Sequence, residues 1–326
     1  MSAAMRERYD LFSAEEYAYP GSFGFLPRVT SYLHGDGIRR PAMLVIPGGA
    51  YCSVSPTEGE IVAKRFFDLG WQAFVLTYTT NPLLLWPLEG QPLREAARAV
   101  RLLRRRGEEF GILDGKVAAC GFSAGGHLCA SLAVHWMDAD REDPDPDGIS
   151  GRPDAAILSY PVITTADFGH AWSTRALLGD APSAEAMAYW ALETQVTEQT
   201  PPCFLWHTAT DDGVPVENSL AFARGLAAAH IPYALHVFSA GPHGLSLANE
   251  DWACQRFGGE YNLEQFRRLR EAIEAGKIPD TEFNRKTVEN GLLPWQEGVR
   301  DPNRDIWPEV AVWPQLADMW LRKQIL

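Results

Sequence analysis

Gly121-Phe122-Ser123-Ala124-Gly125 decides how this chain is read. It follows the apolar run Lys116-Val-Ala-Ala-Cys120 and opens a helix-compatible run, Gly126-His-Leu-Cys-Ala-Ser-Leu-Ala-Val134. A serine between two glycines where a strand turns into a helix has the form of a nucleophile elbow. The turn strains the backbone at the serine, and a side chain at either flanking position would collide with the neighbouring strand or helix, so both flanks are small. The hydroxyl is left exposed at a helix N-terminus, where the positive end of the dipole and a free N–H favour a developing oxyanion. Glycine and serine also crowd ordinary turns. The strand before the motif and the helix after it give it weight.

Outward from the elbow, strand-like and helix-like runs alternate. Ala42 to Ile46, Gln72 to Thr77, Val117 to Cys120, Ala155 to Ser159, Cys203 to Trp206 and Tyr233 to Phe238 read as strands. Glu60 to Leu69, Leu93 to Arg106, the elbow helix to Met137 and Val216 to Ala229 read as the helices between them. This order predicts an α/β fold, a mostly parallel central sheet with helices on both faces. Nothing marks a linker, so residues 1–326 read as a single domain. Asp138 to Asp154 reads as a surface loop, and 167–200, with short helical pieces such as Ser183 to Leu192, as a cap insertion. Residues 250–308, polar and punctuated by Gly and Pro, read as an irregular extra segment before an amphipathic helix near Trp313 to Ile325. That segment is a candidate for shaping the pocket or for self-association, which leaves a homo-oligomer as an expectation.

A serine alone is a poor nucleophile, so the elbow calls for a histidine base and a carboxylate that fixes its tautomer. Phe204-Leu-Trp-His-Thr-Ala-Thr-Asp211-Asp212-Gly-Val-Pro215 runs from a strand into an acidic loop. Asp211 is the candidate acid, since the D-x-x-V-P pattern places it just past the strand end. Asp212 reads as a turn residue bonding its own backbone. His243, in the Gly-Pro-His-Gly loop after the next strand, is the candidate base. The other seven histidines have plainer readings as strand, helix or loop residues. No HxxxH pair with an acidic partner occurs, so neither zinc nor another metal is expected. The second oxyanion donor is sought in Ile46-Pro47-Gly48-Gly49-Ala50-Tyr51, after the first strong strand. The amides of Gly49 and Ala50 are assigned there beside that of Ala124. Tyr51 and Trp86, the latter in the Pro-rich loop Asn81 to Pro92, are candidate substrate contacts.

Composition excludes several classes. Twenty-nine basic against 42 acidic residues give a net charge of −13, which repels phosphate backbones and anionic lipid surfaces, so neither nucleic acid nor membrane is an expected partner. The cluster Arg101 and Arg104 to Arg106 reads as a cationic helix end. The N-terminus carries charged residues where a signal peptide needs an apolar stretch, so a cytoplasmic protein is expected. The five cysteines (52, 120, 129, 203 and 254) form no CxxC pair and read as buried thiols.

With these residues assembled, the chain resembles the α/β-hydrolase serine esterases, most closely the bacterial acetyl xylan and feruloyl esterase-like group. The likeness rests on Pro47-Gly-Gly-Ala-Tyr51 with Val54-Ser-Pro-Thr-Glu-Gly-Glu60, on Gly121-Phe-Ser-Ala-Gly-Gly-His-Leu128, and on Ser159-Tyr-Pro-Val162. It rests also on Trp206-His-Thr-Ala-Thr-Asp-Asp-Gly-Val-Pro-Val-Glu-Asn218 and Gly241-Pro-His-Gly-Leu245. The resemblance implies a carboxylesterase that removes acetyl groups from carbohydrates such as xylo-oligosaccharides, with a small-molecule ester substrate and no cofactor. Pro47 stands where many lipase-type relatives have histidine, and Ala50 replaces the third glycine. The motifs leave open another hydrolase of this scaffold, a prolyl-oligopeptidase-like peptidase or an arylformamidase. A non-catalytic ligand-binding protein is a remoter alternative.

Overall fold

The computed structural model describes residues 4–258 and 263–326. Its frame is an eight-stranded sheet in the order β1-β2-β4-β3-β5-β6-β7-β8. In chain order the elements are β1 (Arg8–Asp10), β2 (Arg28–Tyr32), β3 (Arg40–Ile46), α1 (Glu60–Asp68), β4 (Gln72–Thr77), α2 (Gln91–Arg105), β5 (Ile112–Phe122) and α3 (Ser123–Glu142). They continue with β6 (Ala155–Ser159), α4 (Ala171–Leu178), α5 (Ala184–Tyr189), β7 (Cys203–Thr208), α6 (Glu217–Ala228) and β8 (Tyr233–Phe238). The last four are α7 (Glu250–Ala253), α8 (Leu263–Glu274), α9 (Glu282–Gly291) and α10 (Trp313–Ile325). Strands β3 to β8 pair in parallel, while β1 and β2 are antiparallel additions at the β4 edge.

The continuous apolar runs of β3, β5 and β6 are what a sheet covered on both faces requires. Val45 lies opposite Cys120 and Ile46 opposite Gly121, which brings the end of β3 beside the elbow. Helices α1 and α10 meet through Phe66 and Trp313, whose rings lie 6.0 Å apart, and Trp313 stacks on Trp206 at 5.2 Å. Each buried aromatic of this size removes about 150–250 Å² from water, so this stack anchors the C-terminal helix to the sheet under the site.

Three expectations change. The strand leading into the elbow and the helix after it are longer than read, and α3 runs through Glu142 into the stretch expected as loop. No breaker precedes Pro144, and Arg101 pairs with Asp140 at 2.8 Å and Asp143 at 2.5 Å, which ties the last turn of α3 to α2. The arginines at the end of α2 thus make specific ion pairs, Arg104 with Asp154 and Arg105 with Asp145, beyond complementing a dipole. Within 250–308 the chain forms α7, α8 and α9, and α8 and α9 pack a small apolar cluster of Phe266, Leu269, Ala272, Ile278 and Val288 with Leu83. Residues 259–262 of that segment, and the first three of the N-terminus, lie outside the described residues. No described helix is long and apolar enough to cross a membrane.

Candidate active site

All the candidate polar groups stand at the carboxyl ends of parallel strands, where open α/β sheets leave their crevice. Ser123 follows β5 directly, with φ of +52°. The reason for the flanking glycines is explicit. A Cβ on Gly121 would lie 2.2 Å from the Gly125 carbonyl oxygen, and one on Gly125 would lie 2.3 Å from the carbonyl oxygens of Ile46 and Pro47. The elbow therefore presses against the β3 loop.

Ser123 Oγ lies 2.8 Å from His243 Nε2, and His243 Nδ1 lies 2.8 Å and 3.0 Å from the two Asp211 oxygens. Asp211 is 1% exposed at its side chain and accepts the N–H groups of Gly213 and Val214 at 2.9 and 2.8 Å. Burial opposes its ionisation. Hydrogen bonds from His207 and His243, the His243 charge and the Val214 N–H outweigh it and hold the carboxyl well below the usual carboxylate range. The structure thus brings Ser123, His243 and Asp211 together in a hydrogen-bonded line. Asp212 differs from its sequence reading: its Oδ1 accepts the backbone N–H of His243 at 2.9 Å. The histidine loop is further pinned by Thr208 Oγ1 donating to Gly241 O and Gly241 N–H donating to Thr210 Oγ1. These bonds hold the loop in place.

His207, which closes the strand before the acidic loop in the sequence, supports that acid. It is fully buried, with Nε2 2.9 Å from Val214 O and 3.3 Å from Asp211 Oδ2, and Nδ1 2.8 Å from Ser219 Oγ. A carbonyl only accepts, so Nε2 carries the proton and Nδ1 accepts from the serine hydroxyl. The ring thereby gives Asp211 Oδ2, which also meets His243, a second buried imidazole partner.

The loop after β3 carries Gly49, Ala50 and Tyr51 at φ of +117°, +56° and +59°. Gly48 N–H is taken by Glu58 Oε2 at 2.7 Å. The amides of Gly49 and Ala50 donate to no acceptor among the described residues. Ala124 is in the first turn of α3, where a helix offers its N–H no acceptor. The three amides are therefore without an internal acceptor, and Gly48 of the same loop abuts the Ser123 side chain.

The candidate substrate contacts fare differently. Tyr51 is 1% exposed, and its hydroxyl donates to His127 Nδ1 at 2.9 Å while His127 Nε2 donates to Trp190 O at 3.2 Å. Burial pushes the His127 pKa down to about 4, so the ring is neutral and can accept. Tyr51 thus supports the loop from below and offers no stacking face. Trp86 is half-buried, edge-on to Phe23 at 5.5 Å and packed on the α8–α9 cluster. The exposed aromatics of this region are instead Phe168 and Trp172, at the start of α4. Burial pushes the Cys52 thiol up to about 12 with the Trp172 side chain partly offsetting it, and the Cys52 N–H donates to Gly49 O. Between them His170 caps α4, and burial, with the charge of His243 adding to it, pushes the His170 pKa down. No spacing in the sequence marks these residues, because their position depends on how α4 folds back over the sheet ends.

A parallel sheet with an elbow serine, an acid after β7 and a histidine after β8 is that of the α/β-hydrolases. The chain belongs to the BD-FAE family, whose model matches residues 34–226. It is 48% identical over 268 residues to endo-1,4-beta-xylanase B of Butyrivibrio fibrisolvens, spanning 82% of this chain and 42% of that protein. It is 27% identical to an acetylxylan esterase of Xylanibacter ruminicola, over 63% of this chain and 41% of that one. Among solved structures it is similar to an acetyl ester-xyloside bifunctional hydrolase from Caldicellulosiruptor lactoaceticus, with 33% identity, a TM-score of 0.68, and coverage of 83% of this chain and 97% of that one. The chain spans about half or less of the length of the curated relatives it matches.

Proposed function

We propose that the protein is a serine carboxylesterase that hydrolyses short-chain esters, acetyl esters of xylo-oligosaccharides foremost. The observation that carries this reading is the line Ser123–His243–Asp211, with both hydrogen bonds at 2.8 Å and the serine on a strained elbow. Ser123 Oγ attacks the ester carbonyl while His243 Nε2 takes its proton, and Asp211 stabilises the imidazolium. His243 then returns the proton to the departing sugar hydroxyl, leaving the acyl group on Ser123. A water deprotonated by His243 attacks this ester, and acetate leaves as Ser123 regains its proton. The amides of Gly49, Ala50 and Ala124 receive the oxyanion of both tetrahedral intermediates, each worth roughly 2.7–4 kcal/mol of transition-state stabilisation. Phe168 and Trp172 offer apolar faces to the sugar ring.

The carbohydrate side rests on relatives named as xylanase, acetylxylan esterase and acetyl ester-xyloside hydrolase. The test is acetate release from acetylated xylo-oligosaccharide, run beside p-nitrophenyl acetate, butyrate and octanoate, an aryl formamide and peptide anilides, with Ser123→Ala as the blank. Serine-dependent release from the sugar with a preference for acetate is expected. Turnover confined to the formamide or the anilides would overturn the ester reading.

A further inference from the structure

Beneath the oxyanion loop lies a buried carboxylate for which the triad has no use. Glu58 ends the short turn Pro56–Glu58 and is 3% exposed. Its Oε2 accepts the Gly48 N–H at 2.7 Å, and its Oε1 accepts the Tyr160 hydroxyl at 2.7 Å. Tyr160, just past β6, stands at φ of +37°, and its phenol oxygen in turn accepts the Ser246 N–H at 3.0 Å. The Tyr160 ring lies edge-on to His243 with centroids 5.0 Å apart. Ser246 closes the circuit: its Oγ donates to Thr57 O at 2.6 Å, next to Glu58. An apolar residue could fill this space without the desolvation cost of a carboxyl, yet could hold neither the Gly48 N–H nor the Tyr160 hydroxyl.

We propose that Glu58 and Tyr160 form a buried brace that holds the oxyanion loop and the histidine loop in one register, which makes both of them positioning residues for acyl transfer. The inference rests on the esterase reading. The brace touches Gly48, directly before the proposed oxyanion donors, and packs against the proposed base. Loosening it moves those groups relative to Ser123 while leaving the surface that meets the substrate intact. Its signature is therefore a loss in kcat with KM held, and a loss that the two residues share.

The experiment compares wild type, Glu58→Gln, Tyr160→Phe and the double variant on p-nitrophenyl acetate, with thermal midpoints and the rate of Ser123 labelling by a fluorophosphonate. Glutamine keeps one acceptor for Gly48 but turns an N–H toward Tyr160, and phenylalanine keeps the ring while removing only the hydroxyl. Each single variant should lose about 10- to 100-fold in kcat, the scale of a small misplacement of reacting groups, with KM within about twofold. The double variant should be no worse than the poorer single one, since residues acting as a unit are not additive. Ser123 labelling should slow in parallel. Wild-type kcat in folded Tyr160→Phe, or losses that multiply in the double variant, would overturn the brace. Failure of the esterase reading would look different, as wild-type protein not labelled at Ser123, and would take the brace down with it.

Discussion

At Gly125 the elbow meets the β3 loop so closely that one added carbon has nowhere to go. Gly125→Ala would place a methyl group 2.3 Å from two carbonyl oxygens of the backbone, which cannot rotate away as a side chain would. It should cost about 1–3 kcal/mol, read as a lower denaturation midpoint in urea, and should reduce kcat as Ser123 shifts. Asp211 carries a signed prediction with pH. Its folded pKa is depressed, so it contributes stability above the unfolded value of about 3.9, and that contribution is lost as pH falls below it. The stability gap between wild type and Asp211→Asn should therefore be widest near neutrality and shrink in urea titrations run at progressively more acid pH. A gap that stayed constant would contradict the hydrogen-bond account of that carboxyl. His207→Phe keeps an aromatic ring but strands the Ser219 hydroxyl and the Val214 carbonyl, at a cost of about 1–3 kcal/mol per stranded group, read as a lower urea midpoint.

Among the elements, β4 and β6 are buried on both faces, and their apolar runs match their sequence boundaries because burial selects those residues. The edge strand β8 and the amphipathic α10 match as well, although both are partly exposed, because turn and loop residues bound their apolar patterns. β1 and β2 escaped because Arg8-Tyr9-Asp10 and Arg28-Val-Thr-Ser-Tyr32 carry no such run and become strands by pairing with each other and with β4. α8 and α9 were hidden by the Gly and Pro that separate them, and their apolar cluster is small and closes partly on Leu83 of a distant loop. The start of α4 is the element whose position matters most for substrate. If Trp172 supports the sugar, Trp172→Ala should raise KM for acetylated xylo-oligosaccharide by about 2- to 10-fold and leave kcat/KM for p-nitrophenyl acetate unchanged. Equal loss on both substrates would place Trp172 in loop support through Cys52.

For the whole molecule, the site is a convergence of four strand ends, and its parts differ in how far sequence could reach them. Ser123, Asp211 and His243 each lie in a short motif after a strand, so local pattern and chain order were enough to nominate them. The support around them was not visible, since Glu58 meets Tyr160 across 102 residues and His207 meets Ser219 across a loop and a helix start. Tyr51 reads as a substrate contact in the sequence for the same reason, because its buried partner His127 stands 76 residues away. Long-range docking also attaches α8: Gln265 accepts from the Thr80 N–H and hydroxyl at 2.9 Å and donates to Tyr78 O at 3.0 Å. Gln265→Leu should leave the Thr80 N–H and the Tyr78 carbonyl without partners and lower the urea midpoint by the equivalent of about 1–3 kcal/mol per stranded group.

The most direct test of the central claim is peptide mapping of protein treated with a fluorophosphonate, with and without acetylated xylo-oligosaccharide as competitor. The account predicts a single adduct on Ser123, formed more slowly when the sugar ester is present and absent from Ser123→Ala. An active protein whose Ser123 stays unmodified, or whose labelling is indifferent to the sugar ester, would contradict it.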